Sequence, residues 1–187
     1  MPSGAERRAP FWVLMAITLV VDRITKILAE GALGSGRIIS VIGETARFSL
    51  VHNRGAAFGI NLGSASRWVF LGIAIVAVPV LYKLWQQAPL NDRMRQYALG
   101  FVAGGAVGNG IDRVLSARGV TDFIDVGLAS VRWPTFNVAD IAVSCGAVVL
   151  ALTLWREDSQ RAKQPVAPVT ESAPVLPEGA GSPPSAT

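Results

Sequence analysis

"NVADIAVSCGAVVLALTLW", residues 137–155, is an apolar run of helical length with an asparagine at its mouth and an aspartate in its first turn. A transmembrane helix needs about 20 mainly apolar residues. A carboxylate near the middle of one costs roughly 2.5–3.5 kcal/mol on insertion scales. The run therefore predicts a membrane span that keeps Asp140 for a reason. Asn137 suits a helix N-cap, and Asp140, three positions on, lies where the helix dipole favours negative charge. That alone accounts for Asn-x-x-Asp, and a catalytic Asp140 accounts for it equally well.

Upstream, "GVTDFIDVGLASVRWPTF" (119–136) is loop-like and carries Asp122 and Asp125. A turn at Trp133-Pro134 would return Asp122 to the membrane level of Asp140, eighteen residues further on. Two carboxyls held close cannot both ionise readily, so one keeps its proton while the other acts as base. Asp125, beside an apolar run, is expected to face water.

Three further apolar runs, about 11–29, 67–86 and 96–114, join 137–155. Only 16% of the 187 residues are charged, where a soluble domain carries about a quarter. The fold class is an all-α polytopic membrane protein, with four transmembrane helices and a small β-rich segment on the outer side. Residues 1–10 form an N-terminal lead, 11–163 the four-span domain, and 164–187 a Pro-rich disordered tail. The outer segments are about 30–66 and 115–136. Within the first, "RIISVIGETARFSLVHN" (37–53) reads as a hairpin around Gly43-Glu44, and "NRGAAFGINLGSAS" (53–66) as a loop.

The net charge of +4 does not mark a nucleic-acid partner, because the basic residues form no single patch. Eight of them fall on one side of the predicted layout and seven on the other. The Arg7-Arg8 pair beside the first span then places both termini in the cytoplasm. The first span resembles a signal peptide, but Asp22, Arg23 and Lys26 interrupt it and no small-x-small site closes it, so it is retained. Trp12 suits an interfacial anchor, and Pro79 a kink. Gly100, Gly104 and Gly108 recur every four residues, a spacing that lets membrane helices approach closely.

Ionisable groups gather toward one end of the spans: Asp22, Arg23 and Lys26, then Asp112 and Arg113, then Asp140. Asp22 with Lys26, and Asp112 with Arg113, read either as helix-orienting pairs or as parts of a site. His52 lies in an expected strand without a serine nucleophile and reads as structural. Cys145, the single cysteine, allows no internal disulfide and reads as a small packing residue. A carboxylate proton or cation relay in a small transporter is the alternative, although no inverted repeat supports it. A scaffold is a third reading.

"VDRITK" (21–26), "NRGAAFG" (53–59), "GGAVGNGIDR" (104–113), "VTDFI" (120–124) and "FNVAD" (136–140) occur in this order. Together they resemble the bacterial lipoprotein signal peptidase family, also called signal peptidase II, over about residues 11–155. The resemblance implies an inner-membrane aspartic endopeptidase acting near the periplasmic face. It implies diacylglyceryl-modified prolipoprotein substrates, cut just before the lipidated cysteine. By motif position, Asp122 and Asp140 become the catalytic dyad. Asn53, Asn109 and Arg113 would contact substrate and steady the site, Asn137 would support the dyad, and Asp112 would orient Arg113. Asp22 and Lys26 take a structural polar role, and Arg23 departs from the usual glutamine. The family implies no cofactor and no metal. It implies membrane lipids as partners, no nucleic acid, a monomer, and sensitivity to globomycin-type cyclic peptides.

Overall fold

The computed structural model of the chain describes residues 4–54, 63–128 and 130–162. Among them the order is α1 (Gly4–Leu33), β1 (Ile38–Ile42), β2 (Ala46–Asn53), a 3-10 turn (Gly63–Ala65), α2 (Ser66–Gln87), α3 (Arg93–Leu115), β3 (Val120–Leu128), β4 (Val131–Arg132) and α4 (Val138–Ala162). The expectations for a loop through 55–62 and for the tail 164–187 lie outside the described residues.

The helices follow the expected apolar runs in order, but their ends differ. α1 begins at Gly4, so most of the expected polar lead is helix. It also continues to Leu33, four residues beyond the predicted end at Ala29. α2, and Val138–Gln160 of α4, are long and apolar enough to cross a membrane. α1 and α3 carry more charge, and part of it, Asp22, Lys26, Asp112 and Arg113, sits at the site described below.

α3 packs against each of the other three helices. The expected glycine stripe explains how. A Cβ added at Gly100 would come 2.7 Å from the Phe11 carbonyl, and one at Gly104 would come 2.9 Å from the Met15 carbonyl. One at Gly108 would meet Asp22 Oδ2 at 2.8 Å. α1 therefore lies directly on the bare backbone of α3. Gly105 likewise faces the Ala139 carbonyl of α4, and Gly146 faces that of Ala98 at 2.8 Å. Cys145, expected as a packing residue, points outward beside Gly146, which makes the close approach in its place.

At the opposite end of the bundle Phe11, Leu81, Trp85, Leu99 and Ala103 form a buried cluster. Arg8 donates to the carbonyls of Trp85 and Gln86 at 3.0 Å each. The Trp85 carbonyl also takes the Ala88 N–H at 3.2 Å, so Arg8 adds a second bond there and fills the Gln86 carbonyl that the helix end leaves open. Trp12 forms the exposed rim of this cluster.

The strands form one antiparallel sheet in the order β1-β2-β3-β4. The expected hairpin is present, and Gly43 takes a positive φ of 48° at its turn. The region expected to be loop-like from 119 is different: Val120–Leu128 is a strand paired with β2. Val120, Thr121, Asp122, Phe123 and Asp125 are all buried. A strand covered on both faces shows no polar alternation, so its sequence resembles an irregular apolar stretch. Asp125, expected to face water, is only 6% exposed. It lies between Arg47 Nε at 2.6 Å and Arg132 Nε at 2.8 Å. Burial works against its charge, but the two guanidinium bonds outweigh it and hold the carboxyl below its ordinary value.

Candidate active site

Asn137 stands immediately before α4, and its geometry organises the site. Its side-chain oxygen accepts from the backbone N–H of Asp140 at 3.0 Å. Asp140 Oδ2 accepts in return from the backbone N–H of Asn137 at 3.1 Å. This reciprocal cap satisfies two N–H groups that a helix start otherwise leaves open. It also locks the Asp140 side chain. The Asn137 amide has two further N–H bonds to give, and its shortest, 2.6 Å, goes to Asp122 Oδ1. One residue thereby holds both carboxyls.

Asp122 reaches this point because β3 pairs with β2 in a register that sets Asp122 opposite Val51 and Val120 opposite Asn53. Asn53 hydrogen-bonds the Asp122 carboxyl from the neighbouring strand. Gly119, at φ 103°, brings the chain so close to the Asn53 carbonyl that a side chain there would strike it. Asp122 is 1% exposed. Burial first, and the charge of Asp140 second, push its carboxyl up to about 7.

A second layer lies beneath. Asn109 on α3 donates from Nδ2 to Asp140 Oδ1 at 2.8 Å. Its Oδ1 accepts from Lys26 Nζ at 3.0 Å and from Asn137 Nδ2 at 3.1 Å. The Lys26 ammonium also meets Asp22 Oδ2 at 2.8 Å and Asp112 Oδ2 at 2.7 Å, so its three N–H donors are matched. Asp22 Oδ1 accepts from the backbone N–H of Ala139 at 2.9 Å, which ties α1 to the first turn of α4. The expected Asp22–Lys26 pair is therefore present, and it carries α3 and α4 with it.

No direct bond joins Asp112 to Arg113, the residue it was expected to orient. Adjacent helix positions point apart. Asp112 turns to Lys26 and to the backbone N–H of Thr121 at 3.4 Å. Arg113 donates to the Asn109 carbonyl at 3.0 Å, and its guanidinium lies 5.7 Å from the centre of the Phe70 ring. Asp140, Asp122 and Asp112 all act on its charge.

Several supporting residues had no signal in the sequence. Thr121 Oγ1 donates to Glu30 Oε1 at 2.8 Å, joining β3 to the end of α1. Arg67 donates to the Arg113 carbonyl at 2.5 Å and to that of Val114 at 3.0 Å, closing the end of α3. His52 Nε2 lies 3.9 Å from Glu30 at the edge of the site. Among the described residues, no group of three or more His, Cys, Asp or Glu is arranged to hold a metal ion.

The profile of the family described as "Signal peptidase (SPase) II" matches residues 14–156. The chain belongs to the signal peptidase II family. The lipoprotein signal peptidase of Ectopseudomonas mendocina is 39% identical over 153 residues, 80% of this chain and 89% of that protein. The Pseudomonas putida lipoprotein signal peptidase is 37% identical over 173 residues, 89% of this chain and 99% of that one. A solved structure described as a bacterial membrane enzyme superposes with a TM-score of 0.71 at 27% identity, covering 84% of this chain and 94% of that one. Membership makes the chain a bacterial membrane protease of an aspartic peptidase class. The transporter reading is not favoured.

Proposed function

We propose that this signal peptidase II removes signal peptides from diacylglyceryl-modified prolipoproteins just before the lipidated cysteine, with Asp122 and Asp140 as its catalytic pair. The observation that carries this is the grip of Asn137 on both carboxyls: Nδ2 to Asp122 at 2.6 Å, and the reciprocal cap to Asp140. Asp122, raised by burial and by its neighbour's charge, holds the proton at rest. Both Asp140 oxygens accept N–H bonds, an arrangement suited to a carboxylate, so Asp140 is the base.

In the first step Asp140 takes a proton from a water, whose oxygen attacks the scissile carbonyl carbon. Asp122 gives its proton to the carbonyl oxygen, which forms a neutral gem-diol. In the second step Asp140 passes its proton to the leaving amine as the C–N bond breaks, and Asp122 recovers a proton from a gem-diol hydroxyl. One water is consumed and the pair ends as it began. Asn53 and Arg113 line the approach and hold the substrate backbone.

All four helices span the membrane in this reading, with both termini cytoplasmic. The sheet and the dyad then lie at the periplasmic face, where acyl chains meet headgroups. α1 and α3 cross despite their charges because Asp22, Lys26 and Asp112 are paired inside the bundle. The enzyme acts as a monomer and is blocked by globomycin-type cyclic peptides.

The test is cleavage by purified protein in detergent of a lipidated and an unlipidated prolipoprotein. Wild type should cut only the lipidated substrate, before cysteine, while Asp122→Asn and Asp140→Asn remain folded and silent. Substantial turnover by both single variants would remove the dyad.

A further inference from the structure

Asp22, Lys26 and Asp112 are buried and mutually paired, but Arg23, the next residue along α1, turns outward. Successive helix residues differ by about 100° in direction, so its guanidinium leaves the bundle where Asp22 enters it. Its side chain is 55% exposed, and among the described residues its one ion pair reaches Asp112 Oδ1 at 3.8 Å. Asp112 spends its other oxygen on Lys26 and Thr121. At 3.8 Å from Asp112 the guanidinium is beyond hydrogen-bond reach, so Arg23 gives none of its N–H groups to the buried set. What remains is a planar fork of N–H donors at the outer surface of the helix pair.

Directly beside it, α1 and α3 leave an open groove of about 440 Å³, lined by apolar residues of both helices together with Asp22, Arg23 and Asp112. Val20 and Ile24, at 55% and 51% exposure, form its outer rim. Gly108 keeps its floor low. Asp112 lies within one turn of the end of α3 at Leu115, about 5 Å by helical rise. On the span reading the guanidinium lies near the outer end of α3, and the groove runs below it toward the bilayer centre.

An arginine donor left unmatched in a water-poor region is costly, and a phosphate oxygen pair is the acceptor its fork fits best. We propose that Arg23 and the α1–α3 groove form a binding site for one membrane phospholipid, its phosphodiester on the guanidinium and one acyl chain in the groove. This site rests on the reading of α1 and α3 as membrane spans, and it is separate from the dyad. The charge of Arg23 selects the phosphate-bearing lipid over a neutral one, and the groove selects a lipid over free phosphate.

The experiment uses the full chain in detergent micelles doped with phosphatidylglycerol, or with diacylglycerol bearing the same chains, and reads retained lipid by native mass spectrometry. Wild type should retain one phosphatidylglycerol, and Arg23→Gln should retain at least tenfold less, with Arg23→Lys partly restored. Val20→Trp, which fills the groove, should lose phosphatidylglycerol as well. Prolipoprotein cleavage by all three variants should stay within about twofold of wild type, which verifies their folding independently of lipid. Equal retention by wild type and Arg23→Gln would overturn the headgroup site. Diacylglycerol held as tightly as phosphatidylglycerol would do the same. Displacement of the lipid by soluble glycerol phosphate would remove the groove from the proposal. Failure of wild type to enter micelles at all would overturn the span reading along with it, whereas normal entry with indifferent lipid binding would defeat only this site.

Discussion

The ammonium of Lys26 donates to the side-chain oxygen of Asn109 at 3.0 Å, and this bond decides which way the Asn109 amide faces. With the oxygen held by a cation, the NH₂ must point at Asp140, where it donates at 2.8 Å. A reversed amide would set oxygen against carboxylate. Lys26→Met should leave Asp22 a buried charge without its cation and Asp112 with only the more distant Arg23, and cost about 3–5 kcal/mol. Adding Asp112→Asn should recover much of the melting temperature without recovering cleavage, because Asn109 stays free to turn. A double variant with full initial rates would show that Lys26 only balances charge.

In the proposed mechanism Asp122 sets the pH dependence of cleavage. Its carboxyl, raised to about 7, must be protonated to act as the acid, so cleavage should fall as pH climbs through that value. Stability follows the same sign. A carboxyl whose folded value is raised contributes stability fully below its ordinary value of about 4, and loses it as pH rises to about 7. Asp122→Asn keeps an oxygen for Asn137 and cannot ionise. It should be inactive yet melt higher than wild type at pH 8, with a flatter profile of melting temperature against pH.

Asn137 separates cap from chemistry. Asn137→Ala removes the cap, worth about 1 kcal/mol, and the N–H held by Asp122. Asn137→Asp should keep the helix start, since aspartate caps equally well, but place a third carboxyl where an amide donor stood. Both variants should lose cleavage by roughly 10²-fold or more, on the scale of misplaced acid–base groups. Only the alanine should show a frayed first turn by hydrogen exchange at Val138–Asp140.

The glycines of α1 and α3 are not equivalent. Gly108→Ala drives a methyl into Asp22 Oδ2, at 2.8 Å, and overpacking of this kind costs about 1–3 kcal/mol. Gly31, inside α1, has nothing within 4 Å of an added Cβ. Gly31→Ala should stabilise by about 0.5–1 kcal/mol. Paired thermal melts in one detergent check both signs.

The helices were legible because each carries a long apolar run, and the hairpin because Gly43-Glu44 sits between two β-rich runs. β3 was not legible. It is buried on both faces, and its register with β2 slips at a bulge between Phe48 and Val51, so no period-two pattern leads to Asp122. The ordered motifs named the residues that the structure gathers around Asn137, but not their contacts. Asp125 looked solvated because its two arginine partners, Arg47 and Arg132, lie on other strands. Asp112 looked like the partner of Arg113 because sequence adjacency is visible, while its 2.7 Å bond to Lys26 spans 86 positions.

The cap at the start of α4 also bears on how the protein matures. The bonds that begin the helix at Asn137 are the bonds that hold Asp140, and Asp22 adds the Ala139 N–H only when α1 has docked. The first turn of α4 is therefore complete only when the first and last helices have met. The proposed base thus stands on a helix turn whose last N–H is closed by the opposite end of the chain, so docking of α1 and the setting of that turn are one event.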